Sequence, residues 1–154
     1  IIDKTVSAMG SRLLKRWLAF PLKNQFKIIQ RLDTVSYLKS NPNLQNEIRS
    51  YLKEINDLER LVSKVATQKI NPREILQLRK SLDIIDRCKE TLSNSNYESL
   101  VTIADHLNPC EVLRNKISSS ISEEPPVNIL KGNAIKSGYS DELDEYRKIA
   151  FSGH

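Results

Sequence analysis

The sequence predicts an all-α fold of many short helices, and three observations carry that reading. Only four of the 154 residues are glycine. Apolar residues recur at steps of three and four along most of the chain, the spacing of one-sided helices. The dipeptide Asn-Pro occurs three times where such a stripe begins, with Asn suited to capping and Pro to the first helical position.

The first helix is expected over 5 to 20, within TVSAMGSRLLKRWLAFPL. At 100° per residue Val6, Met9, Leu13, Trp17 and Phe20 share one face, while Arg12, Lys15 and Arg16 share the other. The cations and the chain's only tryptophan therefore look in different directions. That arrangement favours a core helix over a base-stacking platform, which needs exposed aromatics interleaved with basic groups. Gly10 lies beside the apolar face and weakens the helix by about 1 kcal/mol relative to Ala, so a neighbouring backbone is expected to approach there. Met9, Gly10, Leu13 and Trp17 are the candidate packing residues, and Arg12 is expected to serve a salt bridge or a neighbouring domain.

The second helix, 25 to 40, follows the stripe Ile28, Ile29, Leu32, Val35 and Leu38. The third, 42 to 54, starts at Asn41-Pro42. The fourth, 57 to 68, opens on DLERL, whose Asp57, Glu59 and Arg60 are helix-start charges. The fifth, 72 to 92, is the longest: Asn71-Pro72 with Glu74 makes a capping-box arrangement, and Ile75, Leu78, Leu82, Ile85 and Leu92 continue one stripe. Ser95 with Glu98 repeats the box before a helix at 96 to 106, and Asn108-Pro109 with Glu111 before one at 109 to 121. Residues 122 to 137, with Pro125-Pro126, Gly132 and a β-leaning apolar patch, should form one short extended connector. Ser140 caps the last helix, 140 to 152, and Asp141 and Glu142 suit the positive end of its dipole. The whole of 1 to 154 is expected to be one helical domain. The two isoleucines at its start and the abrupt Ser-Gly-His at its end, with Gly153 the only C-terminal cap feature, look cut from something larger.

Composition excludes several function classes. The net charge of +5 is moderate and the lysines are scattered from Lys4 to Lys148, whereas a nucleic-acid footprint clusters. No apolar run is long enough to span a bilayer and the first residues lack the order of a signal peptide, so a cytoplasmic setting is expected. Cys88 and Cys110 sit in amphipathic segments without CxxC spacing and are read as small reduced core residues. With only His106 and His154, neither a metal cage nor a catalytic triad can be assembled, and His106 is read as a helix-end residue. Neither GxxxxGK[ST] nor GxGxxG is present. The carboxylates Asp141, Glu142, Asp144 and Glu145 are spread around one helix turn and are read as a solvated helix start. No catalytic, cofactor-binding, metal-binding or DNA-binding residue is assigned.

Several of these segments resemble, in order, the core or lever domain of the DNA mismatch repair MutS family. Thr5, Met9, Gly10, Arg12, Leu14, Trp17, Leu18, Pro21 and Leu22 match the pattern that opens it. The likeness continues through Ile28, Arg31, Leu32, Asp33 and Val35, through DLERL at Asp57 to Leu61, and through NPREILQLRKSL at Asn71 to Leu82. It closes with Gly138, Tyr139, Glu142, Leu143, Asp144, Glu145 and Arg147, similar to the family's GY-x-x-ELDELR. One departure is Gly132-Asn133, where the family usually has paired glycines; Asn is among the few substitutes a positive-φ turn accepts.

The resemblance implies the first half of a lever domain, ending near the insertion of the family's DNA clamp. It implies a non-catalytic fragment that couples clamp to ATPase, while ATP and Mg, and recognition of mismatched double-stranded DNA, belong to the full-length protein. A homodimer, a MutL partner and contact with the remaining domains of the same chain are likewise implied. Alternatives are a stand-alone basic helical module that binds nucleic acid or protein, and a MutS-like relative acting outside mismatch repair. A small helical enzyme is disfavoured by the scarcity of acid-base candidates.

Overall fold

The structure, a computed structural model, describes residues 2 to 152, except for the side chain of Phe151. The expectations placed on Gly153 and His154 lie outside the described residues. The fold class is the expected one. Among the described residues eight α-helices follow in order: α1 (Ala8–Ala19), α2 (Gln25–Ser40), α3 (Pro42–Glu54), α4 (Leu58–Ala66), α5 (Pro72–Ser93), α6 (Glu98–His106), α7 (Glu111–Ser120) and α8 (Asp141–Ser152).

The long helix α5 is the axis on which the others assemble. Its start is fixed as the sequence requires: the Asn71 side chain accepts from the Glu74 N–H at 3.0 Å, and Glu74 reaches back to the Asn71 N–H at 3.1 Å. Helices α3, α4, α6 and α7 pack directly on α5, and α2 packs on α3 and α6. One apolar cluster gathers Cys88, Leu92, Leu100 and Ala104 beneath Tyr37, Leu38, Ile48, Tyr51 and Tyr97. A second joins Leu61, Leu78 and Leu82 with Leu58, Ile85 and Cys110. The Tyr37 and Tyr97 rings stack at 4.1 Å, and the Tyr37 hydroxyl donates to the Ser95 carbonyl at 2.7 Å, which closes α2 over the α5–α6 turn.

Three capping expectations come out differently. The Asn41 side chain turns back to donate to the Tyr37 carbonyl and leaves α3 without a side-chain cap. Ser95 donates to Leu92 at the end of α5, so α6 begins at Glu98 behind an uncapped Tyr97. Asn108 accepts from the Cys110 N–H two residues on, an Asx turn, and this delays α7 to Glu111. Cys110 consequently sits at the helix entrance with φ +49°, half-buried, rather than within an amphipathic stripe, while Cys88 is a buried free thiol as expected.

Between α7 and α8 the chain turns back beside the end of α7. Ile121 and Ile135 form an isolated antiparallel bridge, the Ser122 N–H donates to the Ala134 carbonyl, and the Lys136 N–H donates to the Ser120 carbonyl. A single 3-10 turn, Ile129–Lys131, precedes Gly132 and Asn133, both with positive φ, at +73° and +58°. Asn133 thus sits in the left-handed region, where its short side chain is among the best tolerated.

Candidate functional site

Within this chain α1, the helix expected to pack through Met9, Gly10, Leu13 and Trp17, has no fully buried residue. Among its residues Met9, Gly10, Ser11 and Leu14 are half-buried. Trp17 is 43% exposed and Phe20 77%. The apolar stripe of α2 is likewise open along Ile28, Ile29, Leu32 and Val35, and only Leu38 near its end joins the core. The physical reason is simple: amphipathicity says that a face favours cover, while the described residues of this chain do not supply it. At Gly10 a Cβ would meet the Ser7 hydroxyl at 3.0 Å and Thr5 at 3.6 Å, so within this chain the missing side chain makes room for the helix's own capping turn. Ser7 uses that room to accept from the Gly10 N–H.

The polar side of α1 carries a three-bond ionic joint to the start of α4. The Arg12 guanidinium donates to both carboxylate oxygens of Asp57, at 2.6 and 3.0 Å, and its Nε donates to Glu59 at 2.5 Å. Asp57 at the same time caps α4 by accepting from the Arg60 N–H. The charges of DLERL are helix-start charges, as the sequence suggests, and they also form the socket for a residue 45 positions earlier. The hydrogen bond from Arg12 holds the Asp57 carboxyl below its ordinary range, and Asp57 raises the guanidinium in turn. At the other end of α1, the Arg31 guanidinium lies 3.6 Å from the Trp17 ring centroid, a cation-π contact from α2.

Three further joints are built from charge. Lys64 on α4 pairs with Glu74 of the α5 capping box. Arg114 on α7 donates to Asp83 at 3.2 Å and Asp86 at 2.8 Å on α5. In the last helix, Asp144 accepts from the Gly138 N–H at 2.5 Å and from Arg147 at 2.9 Å, and Arg147 also donates to the Ile135 carbonyl. Asp144 therefore does more than solvate a helix start: it ties the Gly-Tyr turn to α8, with Gly138 at φ +83°. The Ser140 hydroxyl accepts from the Leu143 N–H, the expected cap.

Sequence reasoning left the partners of Arg12, Asp144 and Arg114 unassigned. A pair 45 residues apart has no local signal, whereas the Asp144 to Arg147 spacing is legible as a helical i, i+3 pair. His106 ends α6 with its Nδ1 beside the Thr102 carbonyl at 2.6 Å. Among the described residues, no group of three His, Cys, Asp or Glu side chains is placed to hold a metal ion. No helix among them is long and apolar enough to cross a membrane.

This geometry defines a class: an all-α scaffold whose polar chemistry is spent on caps and ion-paired joints between helices. The particular family follows from comparison, for the family model of MutS domain III matches residues 1–150, and the chain belongs to that family. It is 55% identical over 153 residues to a DNA mismatch repair protein MutS of Christiangramia forsetii, 51% to one of Flavobacterium johnsoniae and 45% to one of Bacteroides fragilis. Each match covers 99% of this chain and 18% of the relative, so the chain spans under a fifth of the length of the curated proteins it matches.

Proposed function

We propose that this chain is the helical lever segment of a MutS-type DNA mismatch repair protein, and that it transmits force and position without doing chemistry. The observation that carries this reading is the match of residues 1–150 to MutS domain III together with identity of up to 55% across nearly the whole chain. Residues 1 to 154 act as one unit, with residues 122 to 137 as its connector. Caps and ion pairs at the helix junctions suit such a part, because coupling between distant sites needs rigid elements that move as bodies.

In the longer protein, mismatched double-stranded DNA, ATP and Mg are engaged elsewhere, and the lever lets DNA grip and nucleotide state bias each other. The open apolar face of α1 and α2, with Leu13 and Trp17, is where the remaining domains of the same polypeptide pack. A homodimer, a MutL-type partner and a cytoplasmic setting complete the reading.

A second reading has one observation in its favour. Trp17, Phe20 and Phe26 are exposed near Lys23, Lys27 and Arg31, the kind of interleaving a single-strand platform uses. Titration of labelled matched, mismatched and single-stranded DNA with the chain, read by fluorescence anisotropy at low and physiological salt, separates the two. The lever reading expects no binding at physiological salt, or weak salt-sensitive binding that ignores the mismatch. A preference for the mismatched duplex or for the single strand would overturn it.

A further inference from the structure

We propose that Arg12 is the positioning residue of α1, a latch that sets this helix's direction against the α4–α5 body and can let it swing when released. The proposal deepens the lever reading and rests on it, since a lever whose first helix is hinged behaves differently from one that is rigid throughout.

The attachment of α1 is unusually sparse. None of its residues is buried, and it is absent from the set of closely packed helix pairs. Its capping and entry bonds are local: Asp3 accepts from Thr5 and Ser11, and Ser7 accepts from the Gly10 N–H. Among the described residues, the only hydrogen bonds from α1 to any residue beyond 20 are the three made by Arg12. The Trp17 stack on Arg31 leads to α2, whose first turns are exposed and which joins the body only near its far end, through Tyr37 and Leu38, so it is an indirect tie.

A planar guanidinium engaging a carboxylate end-on through two bonds, with a third bond from its Nε to Glu59, fixes orientation as well as distance. Asp57 gives that orientation something firm to act on. It caps α4, and α4 is packed on α5 and tied to it again through Lys64 and Glu74. The direction of α1 is thus referred directly to α4 and α5 through one side chain, and otherwise only by way of α2. When the fork opens, α1 loses its register on the body while the two apolar clusters beneath α2 to α7 lose nothing.

Hydrogen exchange measured segment by segment on the whole 154-residue chain tests this with Arg12→Gln, Arg12→Lys, Asp57→Asn and the double variant Arg12→Gln/Asp57→Asn. Asn caps a helix about as well as Asp, so Asp57→Asn removes the charge and spares α4. Exchange over residues 8–19 should quicken about three- to tenfold in Arg12→Gln and Asp57→Asn, with the double variant no faster than either single, while α5 keeps its protection. Arg12→Lys should recover part of the loss, since it keeps the charge and gives up the fork. Unchanged exchange over 8–19 overturns the latch. So does a rise shared equally with α5, which would mean that Arg12 serves general stability. Neither result touches the lever reading, which is decided by the DNA titration.

Discussion

Ser81 and Asn56 make the joint at which α3, α4 and α5 meet. The Ser81 hydroxyl, wholly buried on α5, accepts from the Asn56 N–H and from its side-chain amide at 3.1 Å each, and donates to the Gln77 carbonyl at 2.9 Å. Asn56 lies in the short link from α3 to α4, so one hydroxyl fixes how two helices leave the axial one. Ser81→Ala strips the Asn56 donors of their shared partner and should cost about 1–3 kcal/mol, read as a lower urea midpoint at unchanged slope. A loss under about 0.5 kcal/mol would mean that water replaces the hydroxyl.

Two left-handed positions before α8 make a conformational prediction. A Cβ at Gly138 would meet nothing within 4 Å, so the cost of Gly138→Ala comes from its φ of +83° alone, about 1–2 kcal/mol in thermal melts. Asn133→Ala, at φ +58°, should cost about 1 kcal/mol, whereas Asn133→Gly should leave stability within a few tenths. Equal melting of both Asn133 variants would show that the side chain, not the backbone, matters there.

Acid should loosen the two ends of the molecule before its middle. Hydrogen bonds from Ser11 and Thr5 bring Asp3 down to about 2, while Arg12 lowers Asp57, the Gly138 N–H together with Arg147 lowers Asp144, and Lys64 lowers Glu74. A carboxylate whose folded pKa lies below its unfolded value of about 3.8 to 4.5 stabilises the fold above that value. The contribution is lost as pH falls through the folded pKa. Between about pH 4 and pH 2, exchange at α1 and α8 should rise first, with α5 protection falling last. Loss of protection at all helices together would place the acid-sensitive contacts in the core.

These predictions also mark where the sequence was legible. Helix positions came from apolar period and from Asn71, whose box with Glu74 forms as drawn, because both signals are local to one helix turn. Asn41, Ser95 and Asn108 carry similar letters, yet each spends its side chain on a competing backbone group, a competition that residue spacing does not resolve. The Arg12 socket was invisible because it joins turns 45 residues apart. The cover of α1 was not legible for another reason: a helix wheel identifies an apolar face but not which part of a protein covers it.

The two thiols should differ sharply in reactivity. Cys88 is buried in the cluster with Leu92 and Ala104, and desolvation pushes its pKa up, which suppresses the reactive thiolate. Cys110 is half-buried at the α7 entrance. Under native conditions iodoacetamide should modify Cys110 and spare Cys88, as peptide mass mapping would report. Prompt labelling of Cys88 would mean that α2 and α6 open from α5 on the labelling timescale.

Trp17 yields the prediction most directly tied to the uncovered helix. A ring 43% exposed, held by one cation-π contact, contributes less than a buried aromatic, for which truncation costs about 3–5 kcal/mol. Trp17→Ala should therefore cost this chain about 1–2 kcal/mol, and Arg31→Gln should red-shift the Trp17 emission as water reaches the ring face. The same Trp17→Ala change made in a longer protein that covers α1 should cost more, since the face would then be removed from water. Equal cost in both contexts would show that the stripe of Leu13, Trp17 and Phe20 stays solvated, and that α1 meets the rest of such a protein through its polar side instead.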